Sequence, residues 1–270
     1  MNKIQIRALD ILKNFATICD KYQLRYSLSN GTLLGCIRHG GFIPWDDDVD
    51  VYMPREDYNK FLSVAQDELE KNFFLQTKDT DKNFPLGFAK IRDLNINLVE
   101  AGLSTFDIKH GVWIDIFPFD NIPDQKEELK NFIKEVMKLN KKIHLNYLIY
   151  KNPHSNSVKE NVKGLINFKN RVINKVFKRK LKPILDEREI LCRRYENLNT
   201  KRSFMLTYNF TLDYFKKTIL NNDEFDNLIE KEFENHKFKI FKNYDKILTR
   251  EYGDYMTPPK RQESNHILLK

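Results

Sequence analysis

The sequence predicts an α/β (α+β) chain: a mixed sheet with packed helices, then an added helical subdomain. Three observations carry this. Short apolar runs of strand length, separated by turn residues, gather in the first 120 residues; from Asp124 onward the apolar spacing is the three-and-four of a helix; and no segment repeats. The 270 residues divide into a core (1–123), a helical, basic segment (124–202) and a C-terminal segment (203–270) that packs back on the core and completes its site.

Ile4, Ala8, Ile11, Leu12, Phe15, Ile18, Cys19 and Tyr22 make an amphipathic opening helix. Arg25 to Ser29 reads as a short strand, Asn30-Gly31 as a turn, and Thr32 to Arg38 as a short helix. Gly40, Gly41 and Pro44 break the chain before a strand from Val49 to Met53 and a helix from Arg55 to Lys71. Strands are predicted over Phe73–Thr77, Phe88–Arg92, Ile96–Glu100 and Val112–Phe117. Helical patterns occupy Asp124–Tyr150 and Val158–Thr200, with Pro183 starting or kinking a helix. Strands thus belong to the first 120 residues and helices to the rest, and a mixed tail ends in Pro258-Pro259.

With 20 Phe and 12 Tyr the chain is not disordered, and 9 Gly with 9 Pro exclude collagen-like or linker-like sequence. Cys19, Cys36 and Cys192 are too few and too far apart for a disulfide framework or zinc site, and read as free thiols in a reducing cytoplasm. Arg7, Asp10 and Lys13 interrupt any secretory signal, and no apolar run nears the roughly 20 residues of a membrane span. The net charge of +8 suits an anionic partner, whether nucleic acid, anionic lipid or a phosphorylated small molecule, and equally a Lys- and Asn-rich composition. Residues 151–182 form a basic amphipathic stretch with one acid, Glu160. It is either a core-facing helix with a solvated back or a helix drawn to an anionic membrane surface.

Asp46, Asp47, Asp48 and Asp50 put four carboxylates in five residues. In a strand, Asp48 and Asp50 share one face while Val49 and Val51 point into the core. Two carboxylates roughly 6–7 Å apart on one face suit a hard divalent ion, Mg²⁺ or Mn²⁺. A solvated acidic turn or a calcium loop fits the run equally well, although an EF-hand lacks its glycine and late glutamate. Asp115 interrupts the apolar strand Trp113–Phe117, and a buried carboxylate there demands a cation, a salt bridge or a helix cap. Upstream, Gly31 and Thr32 open a helix whose N–H groups can seat phosphate. Arg38, Lys90 and Arg92 are the nearest cations able to balance it.

The run from Gly31 to Val51 resembles the signature of the LicD family of phosphorylcholine transferases, a group that includes the fukutin-related proteins. Lys90–Asp93, Gly111–Asp120 and Tyr252–Pro259, with Lys260, Arg261 and His266, resemble that family's later blocks in order. One departure is Asn30, where relatives often carry Gly. The resemblance implies a nucleotidyltransferase-like fold with 1–123 as catalytic core. It implies Mg²⁺ (or Mn²⁺) held by Asp48, Asp50 and Asp115, and transfer of phosphocholine from CDP-choline to a cell-surface glycan hydroxyl, releasing CMP. Teichoic acid, lipopolysaccharide and glycolipid acceptors all fit, free or lipid-linked. Gly31, Thr32, Arg38, Lys90 and Arg92 would seat the donor's phosphates and nucleotide, and Trp45 would hold choline by cation–π contact. The same site would suit phosphoribitol, phosphoglycerol or phosphoethanolamine donors, or nucleotide transfer. A non-enzymatic lipid or nucleic-acid module is the other alternative, and the acidic cluster argues against nucleic acid. The expected place of action is the cytoplasm, at the inner face of the membrane.

Overall fold

The computed structural model describes residues 1–150 except Asn97 and Thr105, residues 182–259, and residues 267–268. Side chains of 144–150 and 267–268 are not described. The chain order begins α1 (Lys3–Lys21), β1 (Ser27–Leu28), α2 (Asn30–His39), β2 (Asp50–Pro54), α3 (Arg55–Glu68), β3 (Phe73–Gln76), β4 (Ala89–Asp93), β5 (Val99–Glu100), β6 (Val112–Ile122) and α4 (Lys126–Tyr150). It continues with α5 (182–192), β7 (Arg202–Phe204), α6 (Leu212–Thr218), β8 (Leu220–Asn221), β9 (Leu228–Phe233), β10 (His236–Phe241), α7 (Tyr244–Tyr252) and β11 (Ile267–Leu268).

The sheet is mixed, as the sequence predicts, in the order β1-β2-β6-β4-β3. The central β6 runs parallel to β2 and antiparallel to β4, and its far end pairs β7, which pairs β8. Period-two alternation gives the sheet two unlike faces. Val49, Val51, Ile114, Ile116, Ile91 and Leu75 join the apolar core with Ala8, Ile11, Leu12 and Phe15 of α1 and Phe61 and Ala65 of α3. Helix α1 is fixed by a capping box: the Asn2 carboxamide oxygen accepts from the Ile4 and Gln5 amides, and Gln5 Oε1 accepts from the Asn2 amide, each at 2.9 Å. Gln5 then donates from Nε2 to the Asp46 carbonyl at 2.9 Å, tying α1 to the acidic turn.

The expected confinement of strands to the first 120 residues is corrected: β7 to β11 lie beyond residue 200. The β9–β10 hairpin escapes the sequence reading because Glu234 and Asn235, rather than Asn-Gly, fill its turn at φ 50° and 62°. Glu234 is held there by accepting the Phe42 amide at 3.0 Å. A second core joins α4, α5, β7 and α6 through Ile133, Val136, Leu185, Cys192, Phe204 and Phe215. Among the described residues no helix is long and apolar enough to cross a membrane. Of the basic stretch 151–182, residues 151–181 lie outside the described residues.

Candidate active site

The open face of the sheet carries a polar row across four strands. Asp50 on β2 is in register with Asp115 on β6, Asp115 with Lys90 on β4, and Lys90 with Gln76 on β3. Directly paired residues project to the same side, so three charges from three strands meet on one face. The Asp115 amide donates to the Val49 carbonyl at 2.7 Å, which extends the pairing back to the acidic turn. One oxygen each from Asp48, Asp50 and Asp115 lies within 4.8 Å of the other two. Asp46, Asp47 and Asp48 form a second group that meets the same criterion.

Burial, with the like charges of Asp48 and Asp115, pushes the Asp50 carboxyl well above its ordinary value. Burial pushes Asp115 up to about 6, against the pull of Lys90. Lys90 Nζ stands 2.5 Å from Asp115 Oδ1 and 3.2 Å from Glu100 Oε1. Its ammonium also sits over the rings of Trp113 (5.0 Å) and Phe88 (5.6 Å). Burial raises Glu100, yet Lys90 and Arg92 outweigh it and hold that carboxyl below its ordinary value. On the acidic side, Asn30 Nδ2 donates to Asp50 Oδ2 at 3.1 Å and its Oδ1 accepts from the Tyr52 hydroxyl at 2.6 Å. Asn30 has φ 46°, a left-handed conformation that glycine and asparagine adopt most readily.

Asn30, Asp48, Asp50, Lys90, Glu100 and Asp115 line a cavity of about 740 Å³. Of the residues predicted from sequence, Gly31, Asp48, Asp50, Lys90 and Asp115 are in its wall. A side chain at Gly31 would bring its Cβ within 2.6 Å of Asp46 Oδ2, so glycine leaves room for that carboxylate. The other four predicted residues do not line the cavity. Thr32 is buried beneath the strand start, its Oγ1 accepting the Asp50 amide at 2.9 Å. Arg38, at the far end of α2, donates to the Tyr255 carbonyl at 2.9 Å. Arg92 is fully buried, bonded to Gln76, to the Gly111 carbonyl (3.1 Å) and to Glu100 (2.7 Å). Trp45 packs against the core beside His39.

The wall also contains residues to which the sequence reading gave no role in the site: Glu100, Asn140, Arg188, Thr207, Tyr208, Tyr214 and Tyr252. Two of these left a signal. Arg188 sits on the apolar stripe Ile184, Leu185, Leu191 and Cys192, and Asn140 on the stripe Ile133, Val136 and Ile143. A polar residue at a core position of an amphipathic helix calls for a purpose. The tyrosines come from loops, α6 and α7, where no period marks them.

The carboxylates fit a hard divalent cation. Three oxygen ligands converge, and burial and mutual repulsion leave two of the carboxyls poorly disposed to ionise unless a cation joins them.

Two comparisons bear on the chain. The family described as LicD/FKTN/FKRP, nucleotidyltransferase domain, matches residues 23–144, which hold the whole polar row. The lipopolysaccharide cholinephosphotransferase LicD of Haemophilus influenzae is 30% identical over 97% of this chain and 94% of its own length. An uncharacterized protein of Rickettsia typhi is 37% identical over 20% of this chain and 18% of its own length.

Proposed function

The chain belongs to the LicD/FKTN/FKRP nucleotidyltransferase family, a membership from which we propose that it transfers phosphocholine from CDP-choline to a hydroxyl of a cell-surface glycan, releasing CMP. The observation that carries this reading is the convergence of Asp48, Asp50 and Asp115 in the wall of a cavity large enough for a nucleotide. The Haemophilus relative's name supports phosphocholine as the group moved and lipopolysaccharide as the kind of acceptor. The proposed place of action is the cytoplasm, at the inner face of the membrane.

Asp48, Asp50 and Asp115 would hold Mg²⁺ or Mn²⁺. When bound, such an ion neutralises charge on the diphosphate as the phosphorus–oxygen bond breaks. Asn30 fixes the Asp50 carboxylate in rotamer by its bond to Oδ2, with Tyr52 fixing Asn30 in turn. Lys90 holds Asp115 from the other side and limits the negative charge of the wall that a diphosphate must approach. The acceptor oxygen attacks the phosphorus that bears choline; its proton passes to a carboxylate of the cluster and CMP departs. Choline, having no donor hydrogens, is met by aromatic faces in the cavity wall. We assign this contact to Tyr208 and Tyr252, aromatics in the cavity wall that are 47% and 46% exposed.

The test is CMP release from CDP-choline with a lipopolysaccharide acceptor, with Mg²⁺ or EDTA, beside a panel of other CDP-alcohols. The expected result is Mg²⁺-dependent release that is fastest with CDP-choline. Faster release from CDP-ribitol or CDP-glycerol would move the donor assignment; no release from any would overturn the reading.

A further inference from the structure

Away from the carboxylates, the cavity wall holds a guanidinium that makes no ion pair among the described residues. Arg188 on α5 is 4% exposed, yet among the described residues it has no ion pair. Asp120 and Glu189 favour the Arg188 charge from a distance but form their ion pairs with Arg55, at 2.6 and 3.0 Å. Arg188 Nη1 donates to the Asn140 carboxamide oxygen at 3.3 Å, and its Nη2 is buried with no hydrogen-bond partner among the described residues. The guanidinium lies against Gly87, where a Cβ would collide with Nη2, so this glycine makes room for it. Asn140 is itself locked, donating from Nδ2 to the carbonyls of Leu206 (2.9 Å) and Tyr208 (2.7 Å). Between those two residues stands Thr207, also in the cavity wall, with a buried Oγ1 that has no partner.

A buried charge left uncompensated is costly. Burial pushes the Arg188 guanidinium below its ordinary value, against the pull of Cys192, Glu189 and Asp120. Helix α4, helix α5 and the 205–209 segment thus hold an arginine and a hydroxyl, both short of acceptors, in the wall opposite in charge to the acids. We propose that Arg188 and Thr207 form an anion subsite that takes a phosphate group of the ligand in this cavity, with Asn140 as the positioning residue. The phosphate is that of the donor diphosphate or of a phosphorylated acceptor. The donor alternative rests on the function proposed above; the anion subsite itself does not.

The experiment is calorimetric titration of wild type, Arg188→Met, Arg188→Lys and Thr207→Val with inorganic pyrophosphate, CDP-choline and glucose 6-phosphate, alongside melting curves. Arg188→Met is expected to weaken binding of the relevant probe roughly tenfold to hundredfold, and Thr207→Val roughly threefold to tenfold. The melting temperature of Arg188→Met is expected to hold or rise, because a buried unpaired charge is gone. Arg188→Lys keeps the charge but loses the fork, and falls between the two. Losses confined to CDP-choline and pyrophosphate assign the donor phosphates; losses confined to glucose 6-phosphate assign the acceptor. A wild type that binds pyrophosphate through Arg188 but ignores CDP-choline keeps the subsite and removes the donor reading. Unchanged affinity for every probe in Arg188→Met overturns the proposal, as does unchanged affinity in both Arg188→Lys and Thr207→Val where the methionine variant does not fold.

Discussion

Asp115 and Asp120 lie five residues apart on the same strand, and burial pushes both up to about 6. Their surroundings separate them. Asp115 faces the cavity, beside Asp50 and Lys90, where a ligand can reach it. Asp120 is on the opposite side of the period-two alternation, closed in with Arg55 at 2.6 Å, behind which stands Glu189. A shifted carboxyl therefore does not identify a site; access and convergence with other ligands do. One sheet face packs on α1 and α3, and the other opens on the cavity.

Mutation separates the two acids most sharply. Asp50→Asn and Asp115→Asn are expected to lower CMP release about a thousandfold or more, with the melting temperature held or raised in Asp50→Asn and lowered in Asp115→Asn, where the buried Lys90 keeps only Glu100 as an ion-pair partner. Asp120→Ala is expected to act on stability instead of activity: it leaves the buried Arg55 with Glu189 alone and costs about 3 kcal/mol in denaturant titration, while the folded fraction keeps its turnover. On the packed face, Ile116→Ala removes a fully buried side chain and is expected to cost about 3 kcal/mol, again without a change in turnover per folded molecule.

A smaller effect concerns pH. Burial pushes Glu251 on α7 up to about 7. A carboxyl raised on folding stabilises the fold below its unfolded value, and that contribution is lost as pH rises through the folded one. The melting temperature of wild type relative to Glu251→Gln is therefore expected to fall between pH 6 and pH 8. A constant difference across that range would remove the shift. The least effect is expected from Arg38→Ala and Trp45→Phe, which lie outside the cavity: turnover within about twofold of wild type.

What was legible in the sequence came from local rules. Alternation put Asp48 and Asp50 on one face, and a single acid in an apolar strand marked Asp115; both rest on neighbours within a few residues. Lys90 was read as a cation for phosphate, and the structure brings it against Asp115 instead because β4 pairs β6, a relation that no local window contains. Arg92 looked like Lys90 from sequence, two residues along the same strand. Only the return of Gln76, Gly111 and Glu100 around it shows its guanidinium to be fully used. Arg188 and Asn140 broke the apolar stripes of their helices, a signal present in the sequence but meaningful only once those helices were known to wall the cavity. Tyr208 left none, because loops carry no period; Tyr252 was marked only as the first residue of the Tyr252–Pro259 block.

Function in this protein turns on whether Asp48 and Asp50, at the entry to β2, and Asp115, on the adjoining parallel β6, hold one divalent cation. Mn²⁺ titration monitored by electron paramagnetic resonance tests it in wild type, Asp50→Asn and Asp115→Asn. Saturable binding by wild type, at least about tenfold weaker in each variant, is the expected result. Wild-type affinity in both variants would contradict it, and would locate the ion at Asp46, Asp47 and Asp48 on the turn instead.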